Sequence, residues 1–256
     1  MPSRSHSWTR STIRKLSGWL VYQYRVARRS IISIEGVRLR VGRHMSRRVE
    51  RALSRGGQEE EELRVLGAVL TERDVVLEVG AGLGLVSSYC AKRLGSDRVF
   101  AYEADPELEP CIRETYALNG VEPALEMCAV AAHSGRVTLS RDKHFVSSSV
   151  VRRRVGVQPV EVSGKALNYV VAKVSPTLLV INADGAHSEL FDGAELPTVR
   201  RIVLQLPDRV IGTDGTERMQ AQLRELGFEV DQRFSSPEHL VLRRAHSGGP
   251  RLADET

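Results

Sequence analysis

The chain has 256 residues, 41 % of them hydrophobic and 27 % charged. That balance fits a globular protein with a sizeable core and excludes a disordered or collagen-like chain. No apolar run approaches the ~20 residues that span a bilayer. The stretch Trp19 to Tyr22 is too short for a signal-peptide core, so a cytoplasmic location is expected.

The net charge of +5 is unevenly spread. The first 55 residues hold 14 Lys/Arg against two acids, Glu35 and Glu50, and the remainder holds 23 against 30. A basic arm therefore precedes a mildly acidic domain. Counterion release and steering suit such an arm to nucleic acid or an anionic membrane surface. The three cysteines, Cys90, Cys111 and Cys128, form no C-x-x-C pair and read as buried free thiols.

In chain order, residues 1 to about 30 form a basic, partly amphipathic segment, with Trp19, Leu20, Tyr22 and Val26 able to share one helical face. Ile31 to Val41 alternates apolar and polar residues, which predicts a hairpin turning at Glu35-Gly36. Helical spacing follows through Met45–Leu53 and Glu59–Leu70. From Val75 onward strands and helices alternate. Strands are expected at Val75–Val79, Arg98–Tyr102, Leu125–Val130, Arg136–Leu139, Leu178–Ile181 and Arg201–Leu206. Helices are expected at Leu85–Leu94, Pro106–Asn119, Leu167–Lys173 and Glu217–Leu226. Phe228–Phe234 and His239–Arg243 form a closing antiparallel pair, and the tail from Ala245 is polar and expected to be disordered. This order predicts an α/β fold: a Rossmann-like, doubly wound, mainly parallel seven-stranded sheet with an antiparallel closing strand. Three regions are expected: a basic extension with a short hairpin at 1–55, the α/β domain at 56–244, and the tail at 245–256.

The strongest local signal is the run Val75 to Gly84, VVLEVGAGLG, a strand that delivers a glycine-rich turn into a helix. Glycine lets backbone approach a ligand where a Cβ would collide. Gly80, Ala81, Gly82 and Gly84 form the turn, Glu78 lies in the strand before it, and Glu103 followed by Ala104 ends the next strand. An acid in the position of Glu103 can accept both ribose hydroxyls of a nucleoside. A dinucleotide would favour G-x-G-x-x-G. Here the spacing is tighter and an acid precedes it, which suits a nucleoside with a cationic amino-acid end, S-adenosylmethionine. The third strand then offers Cys128, Ala129 and Val130 to the adenine.

These segments resemble the FkbM family of class I methyltransferases. The likeness runs from about Ile32 to Arg243 and rests on VVLEVGAGLG, VFAYEADPE, CAVAAHSGRVTL, the serines Ser147 to Ser149, and LLVINADGAHSELFDGA. It implies a methyltransferase domain at 56–244 and O-methylation of a small-molecule or glycan acceptor. The family phrase after strand four usually carries Lys, Asp, Glu and Glu where this chain has Val180, Asn182, Asp184 and His187, and a Leu-Asp pair where it has Leu167-Asn168.

Asn182, Asp184 and His187 are the expected catalytic group. They follow strand four, at the switch point where open α/β sheets bind ligands. Methyl transfer is an in-line displacement that depends on positioning, and an oxygen nucleophile also benefits from a base such as Asp184 or His187. His133, His144 and the loop Asp142 to Arg154, with Arg152 to Arg154, could border the pocket. No metal-ligand spacing is present, so no metal is expected. Two alternatives stand beside the O-methyltransferase reading. The basic arm favours an RNA methyltransferase, and the altered acids after strand four favour a non-catalytic binding protein.

Overall fold

The protein is seen in a computed structural model that describes residues 31–40, 58–141, 158–182, 187–206 and 212–245. The amphipathic segment at 1–30, the helical patterning at 45–53, the Asp142 to Arg154 loop with His144, and the tail beyond Ala245 lie outside these residues.

The expected hairpin forms, with β1 (Ile31–Ile34) and β2 (Val37–Arg40) paired across Glu35-Gly36, both at positive φ. It is not a free appendage. Ile34, Val37 and Leu39 are buried against the helix α1 (Gln58–Val69) and the helix α2 (Leu85–Leu94). Polar contacts fasten its backbone to the domain. Arg38 N donates to Asn119 Oδ1 at 2.8 Å, and Asn119 Nδ2 returns a bond to Arg38 O at 2.7 Å.

The central sheet joins seven strands. In chain order these are β3 (Val76–Val79), β4 (Val99–Glu103), β5 (Ala124–Met127), β9 (Leu178–Ile181), β10 (Arg201–Gln205), β11 (Phe228–Val230) and β12 (His239–Arg244). Their spatial order is β11-β12-β10-β9-β3-β4-β5, with β12 antiparallel to both β10 and β11 and the other pairings parallel. This is the doubly wound, mainly parallel, seven-stranded order that the class I resemblance implies. The chain reverses direction across the sheet between β3 and β9, which makes their C-terminal edge the switch point.

Both faces of the sheet are covered, so its central strands read as unbroken apolar runs. Side chains alternate between faces. Leu77, Val79, Leu179, Ile181, Ile202 and Leu204 point to one core, with the helices α4 (Leu167–Val174) and α6 (Gly212–Glu225). Val76, Val180, Val203 and Val241 point to the other, under α1, α2 and the hairpin. The helix α3 (Glu109–Asn119) packs through Ile112 and Tyr116 onto Ala81 and Ala101. Asp74, 3 % exposed, ties the α1–β3 junction to the far side of β9. It accepts from Thr71 N at 2.7 Å, Thr177 Oγ1 at 2.6 Å and Arg200 Nη2 at 3.0 Å.

Two details differ from the expectation. The single strand Leu125–Val130 is split, because Cys128 N donates to Glu126 O at 3.1 Å and kinks the chain. β5 stays in the main sheet. The continuation, β6 (Ala129–Ala131), joins a small three-stranded sheet with β7 (Gly135–Arg141) and β8 (Gln158–Ala166). β8 adds a strand beyond those expected, with Val160 and Val162 alternating with polar residues along it. Gly164 allows β7 to cross closely, since a Cβ there would sit 2.5 Å from Val137 Cγ2.

Candidate cofactor and active site

The turn after β3 is built as its residues require. Gly80, Gly82 and Gly84 all have positive φ, at 88°, 55° and 73°. Gly80 N and Ala81 N both donate to Tyr102 O, at 2.8 and 3.1 Å, which folds the turn onto the end of β4. The two later glycines serve different ends. A Cβ on Gly84 would press on Ile112 and Tyr116 at 3.0 Å, so Gly84 lets α2 and α3 meet. A Cβ on Gly82 would meet nothing within 4 Å. Gly82 therefore lines open space, as a ligand cradle requires.

Glu103 turns into this corner. It is 6 % exposed, and its Oε2 accepts from Gly82 N at 2.8 Å while its Oε1 accepts from Asp105 N at 2.8 Å. Burial pushes its carboxyl above the ordinary range, and the amides of Asp105, Gly82 and Ala104 hold it back. Each oxygen keeps a lone pair for a further donor. Ala104, next in the chain, is half-buried, and Asp105 caps the turn at Pro106 by accepting from Glu107 N at 3.1 Å.

Glu78 stands in a row that strand alternation reserves for apolar residues, on the face shared by Val76 and Val180. It is 1 % exposed, and neither carboxyl oxygen has a hydrogen-bond partner of good geometry. Burial raises its pKa well above the usual range; Ser87 opposes the shift, and the nearby acids Glu62 and Glu103 reinforce it. A buried carboxyl without a partner is costly unless a cation or a proton completes it.

Asn182 extends β9. Its N–H donates to Val79 O at 2.9 Å, which seats it at the switch point beside Gly80. Its side-chain amide faces Glu62, early in α1, and its Oδ1 is buried without a partner. The Asp184 position lies outside the described residues. His187 opens the short helix α5 (His187–Leu190), and its side chain also lies outside them. Among the expected catalytic group, the structure thus brings Asn182 to the corner. Among the adenine candidates, Cys128 and Val130 pack into the core with Val79 and Tyr102, and Ala129 is buried at the start of β6. His133 is exposed. Asn168 braces a turn: its Nδ2 donates to Gly193 O at 2.9 Å and its Oδ1 accepts from Glu195 N at 2.8 Å.

Two residues at this edge escaped the sequence reading, Glu62 and His239. Glu62 is 4 % exposed, and its Oε1 has no partner. Burial lifts its pKa to about 7, with the Asn182 bond opposing and Glu59 adding to the rise. His239 is fully buried at the start of β12, with both ring nitrogens unpartnered and Nδ1 3.8 Å from Glu61 Oε1. Gln205 pairs with His239, and Asn182 follows the Leu204↔Ile181 pair by one residue, so the three share one end of the sheet, where Glu61 of α1 approaches His239. The signal available in the sequence was an acidic quartet, Glu59 to Glu62, opening an otherwise apolar-faced helix.

The residues present fit S-adenosylmethionine. The open Gly82 cradle and the Glu103 carboxyl suit its nucleoside, and the unpartnered Glu78 suits its cationic amino-acid end. Among the described residues no group of three or more His, Cys, Asp or Glu side chains could hold a metal ion, and no helix is long and apolar enough to cross a membrane.

No protein-family model matches the chain. A 57-residue stretch is 44 % identical to ribosomal RNA small subunit methyltransferase A of Rubrobacter xylanophilus, covering 22 % of this chain and 21 % of that protein. A 61-residue stretch is 44 % identical to the probable ribosomal RNA small subunit methyltransferase A of Thermococcus onnurineus, covering 24 % of this chain and 22 % of that one. The chain therefore spans about a fifth of the length of the curated relatives it matches. Among solved structures it is similar to a ribosomal protein L11 methylase from Lactobacillus delbrueckii subsp. bulgaricus. The TM-score is 0.46 and the identity 16 %, over 73 % of this chain and 78 % of that one.

Proposed function

We propose that the protein is an S-adenosylmethionine-dependent methyltransferase and that RNA is its acceptor. The observation that carries the first half is the corner itself, where Glu103 faces Gly82 beside open space at the switch point. When bound, the cofactor supplies an electrophilic methyl on a sulfonium. The protein's part is to hold and orient. Glu103 would take the ribose hydroxyls, Gly80 to Gly84 would let the nucleoside lie against backbone, and the Cys128 to Val130 turn would bound the adenine. Asn182, at the switch point, would border the transferred methyl, with Asp184 and His187 following it in the chain.

The RNA half rests on two supports. The two curated relatives are named as ribosomal RNA methyltransferases, and the first 30 residues carry seven basic side chains and no acid. O-methylation of a small molecule or glycan is a second reading, favoured by the FkbM-like segments from Ile32 to Arg243.

Transfer of labelled methyl from S-adenosylmethionine into total RNA, compared with glycan and small-molecule pools, tests the acceptor. Label in RNA, reduced in a variant lacking residues 1–30, supports the proposal. Label only in the other pools favours the second reading. The truncation stops at residue 30 because the hairpin that follows belongs to the core. Cofactor binding without transfer to any pool would point to a binding protein on this fold. Absence of cofactor binding by calorimetry would overturn the whole assignment.

A further inference from the structure

The edge of the sheet holds four buried acceptor oxygens without a hydrogen-bond partner of good geometry. They are Glu62 Oε1, both carboxyl oxygens of Glu78, and Asn182 Oδ1. The donors beside them are neutral: the Asn182 amide is directed at Glu62, and Ser87 at Glu78. Glu62 and Glu78 are each more than nine-tenths buried and act on one another electrostatically. Their neighbours make the imbalance worse. The other groups that act on the pair are Glu59 on α1, Ser87 and Cys90 on α2, Glu103 on β4 and Tyr116 on α3, each acidic or neutral. Glu61 lies instead toward His239 on β12, 3.8 Å from its Nδ1. Tyr116 Oη donates to Ser87 Oγ at 2.9 Å, which leaves the Ser87 hydroxyl as a donor toward Glu78, one that carries no charge.

Two like-charged carboxyls in one buried site cannot both ionise cheaply. A proton answers the problem in the free protein. A ligand that brings one positive charge and several N–H donors answers it better, and a primary ammonium is that group.

We propose that Glu62, carried by a helix outside the glycine corner, is a second carboxyl for the ligand's ammonium end, and that these two buried, unpartnered carboxyls together surrender a proton when that end binds. The inference rests on the cofactor reading above and adds to it a residue and a proton. The balance is simple. One carboxylic O–H breaks, its proton passes to the buffer, and two carboxylates remain facing one ammonium. Asn182 holds Glu62 in place through its amide.

S-adenosylhomocysteine is the probe, because it keeps the ammonium and lacks the sulfonium charge. 5′-Methylthioadenosine, which lacks the amino-acid end, is the control. Calorimetry near pH 7 in two buffers of different ionisation enthalpy reads the protons released. The expected result is net release with S-adenosylhomocysteine and none with methylthioadenosine. Glu62→Gln should suppress part of that release. It should also weaken S-adenosylhomocysteine roughly tenfold, the scale of one charge-assisted hydrogen bond, while leaving methylthioadenosine unchanged. Retained methylthioadenosine binding shows that the variant is folded. Binding of both nucleosides with no proton release, and with Glu62→Gln indistinguishable from the parent, would overturn the inference and leave the cofactor reading standing. Failure of both nucleosides to bind the parent would overturn the two together.

Discussion

The Gly82 N–H donates to Glu103 Oε2 at 2.8 Å, joining the turn after β3 to the last residue of β4. One carboxyl thus shapes the cradle and faces its contents. Glu103→Ala removes both functions, leaving Gly82 N and Asp105 N without their acceptor. Losing bonds to a charged acceptor costs about 1.5–3 kcal/mol each at most. Calorimetry with S-adenosylhomocysteine should show at least a tenfold loss of affinity, and thermal unfolding should show a lower midpoint. Unchanged affinity would mean that the nucleoside does not lie against Glu103.

Gly82 and Gly84 separate the demands of the ligand from those of the fold. Both have positive φ, so Ala costs about 1 kcal/mol of backbone strain at either position. At Gly84 the added Cβ also presses on Ile112 and Tyr116 at 3.0 Å, and overpacking adds roughly 1–3 kcal/mol. Gly84→Ala should therefore lower the unfolding midpoint more than Gly82→Ala. Gly82→Val should leave a folded protein that binds S-adenosylhomocysteine poorly, because its side chain enters the cradle. Equal destabilisation by the two Ala variants would contradict this division.

Glu62 sets a pH slope on stability. Its carboxyl titrates near pH 7 in the native protein, against an ordinary value of 4.5. Between those values the native state holds a proton that the unfolded state has released, so stability falls as pH rises through the window. The full effect is roughly 3 kcal/mol, from about 1.4 kcal/mol per pKa unit. Glu78, also raised, contributes in the same direction. Glu62→Gln should flatten part of the slope, so that the variant matches the parent near pH 5 and exceeds it near pH 8. Chemical denaturation across that range reads the difference. A parent whose stability rises from pH 5 to pH 8 with no contribution from Glu62 would refute the assignment.

The sheet was legible because its period is simple. Leu178 to Ile181 is apolar at every position, as a strand covered on both faces must be, and Gly120 stops α3 in the left-handed conformation at φ 64°. The corner was legible for the same reason: Gly80 to Gly84 and Glu103 are short-range signals whose chemistry does not depend on the rest of the chain. The kink at Cys128 was hidden, since a bond from its N–H to Glu126 O leaves the apolar pattern unbroken. The contacts of α1 were hidden more deeply. An acidic first turn is ordinary helix chemistry, and nothing local reveals that Glu62 is carried onto Asn182, 120 positions later, or Glu61 onto His239. Those meetings are set by how α1 crosses the sheet, through Leu63 and Leu66 on Val180 and Val203.

His239 yields the last prediction. It is fully buried with both ring nitrogens unpartnered, and the Glu61 carboxyl beside it is substantially exposed, which weakens their attraction. Burial lowers its pKa, while Glu61 and Glu238 oppose the shift. The unfolded state therefore takes up a proton before the native state does, and stability falls as pH drops below about 6.5. His239→Leu removes the polar ring and with it only the long 3.8 Å contact to the half-exposed Glu61 carboxyl. Its stability at pH 7 should lie within about 1 kcal/mol of the parent, or above it, because replacing an unsatisfied polar group by an apolar one is close to neutral. Between pH 6.5 and pH 5 the variant should lose less stability than the parent. A fall of several degrees in its unfolding midpoint at pH 7 would show instead that the imidazole is held by partners essential to the junction of α1 and β12.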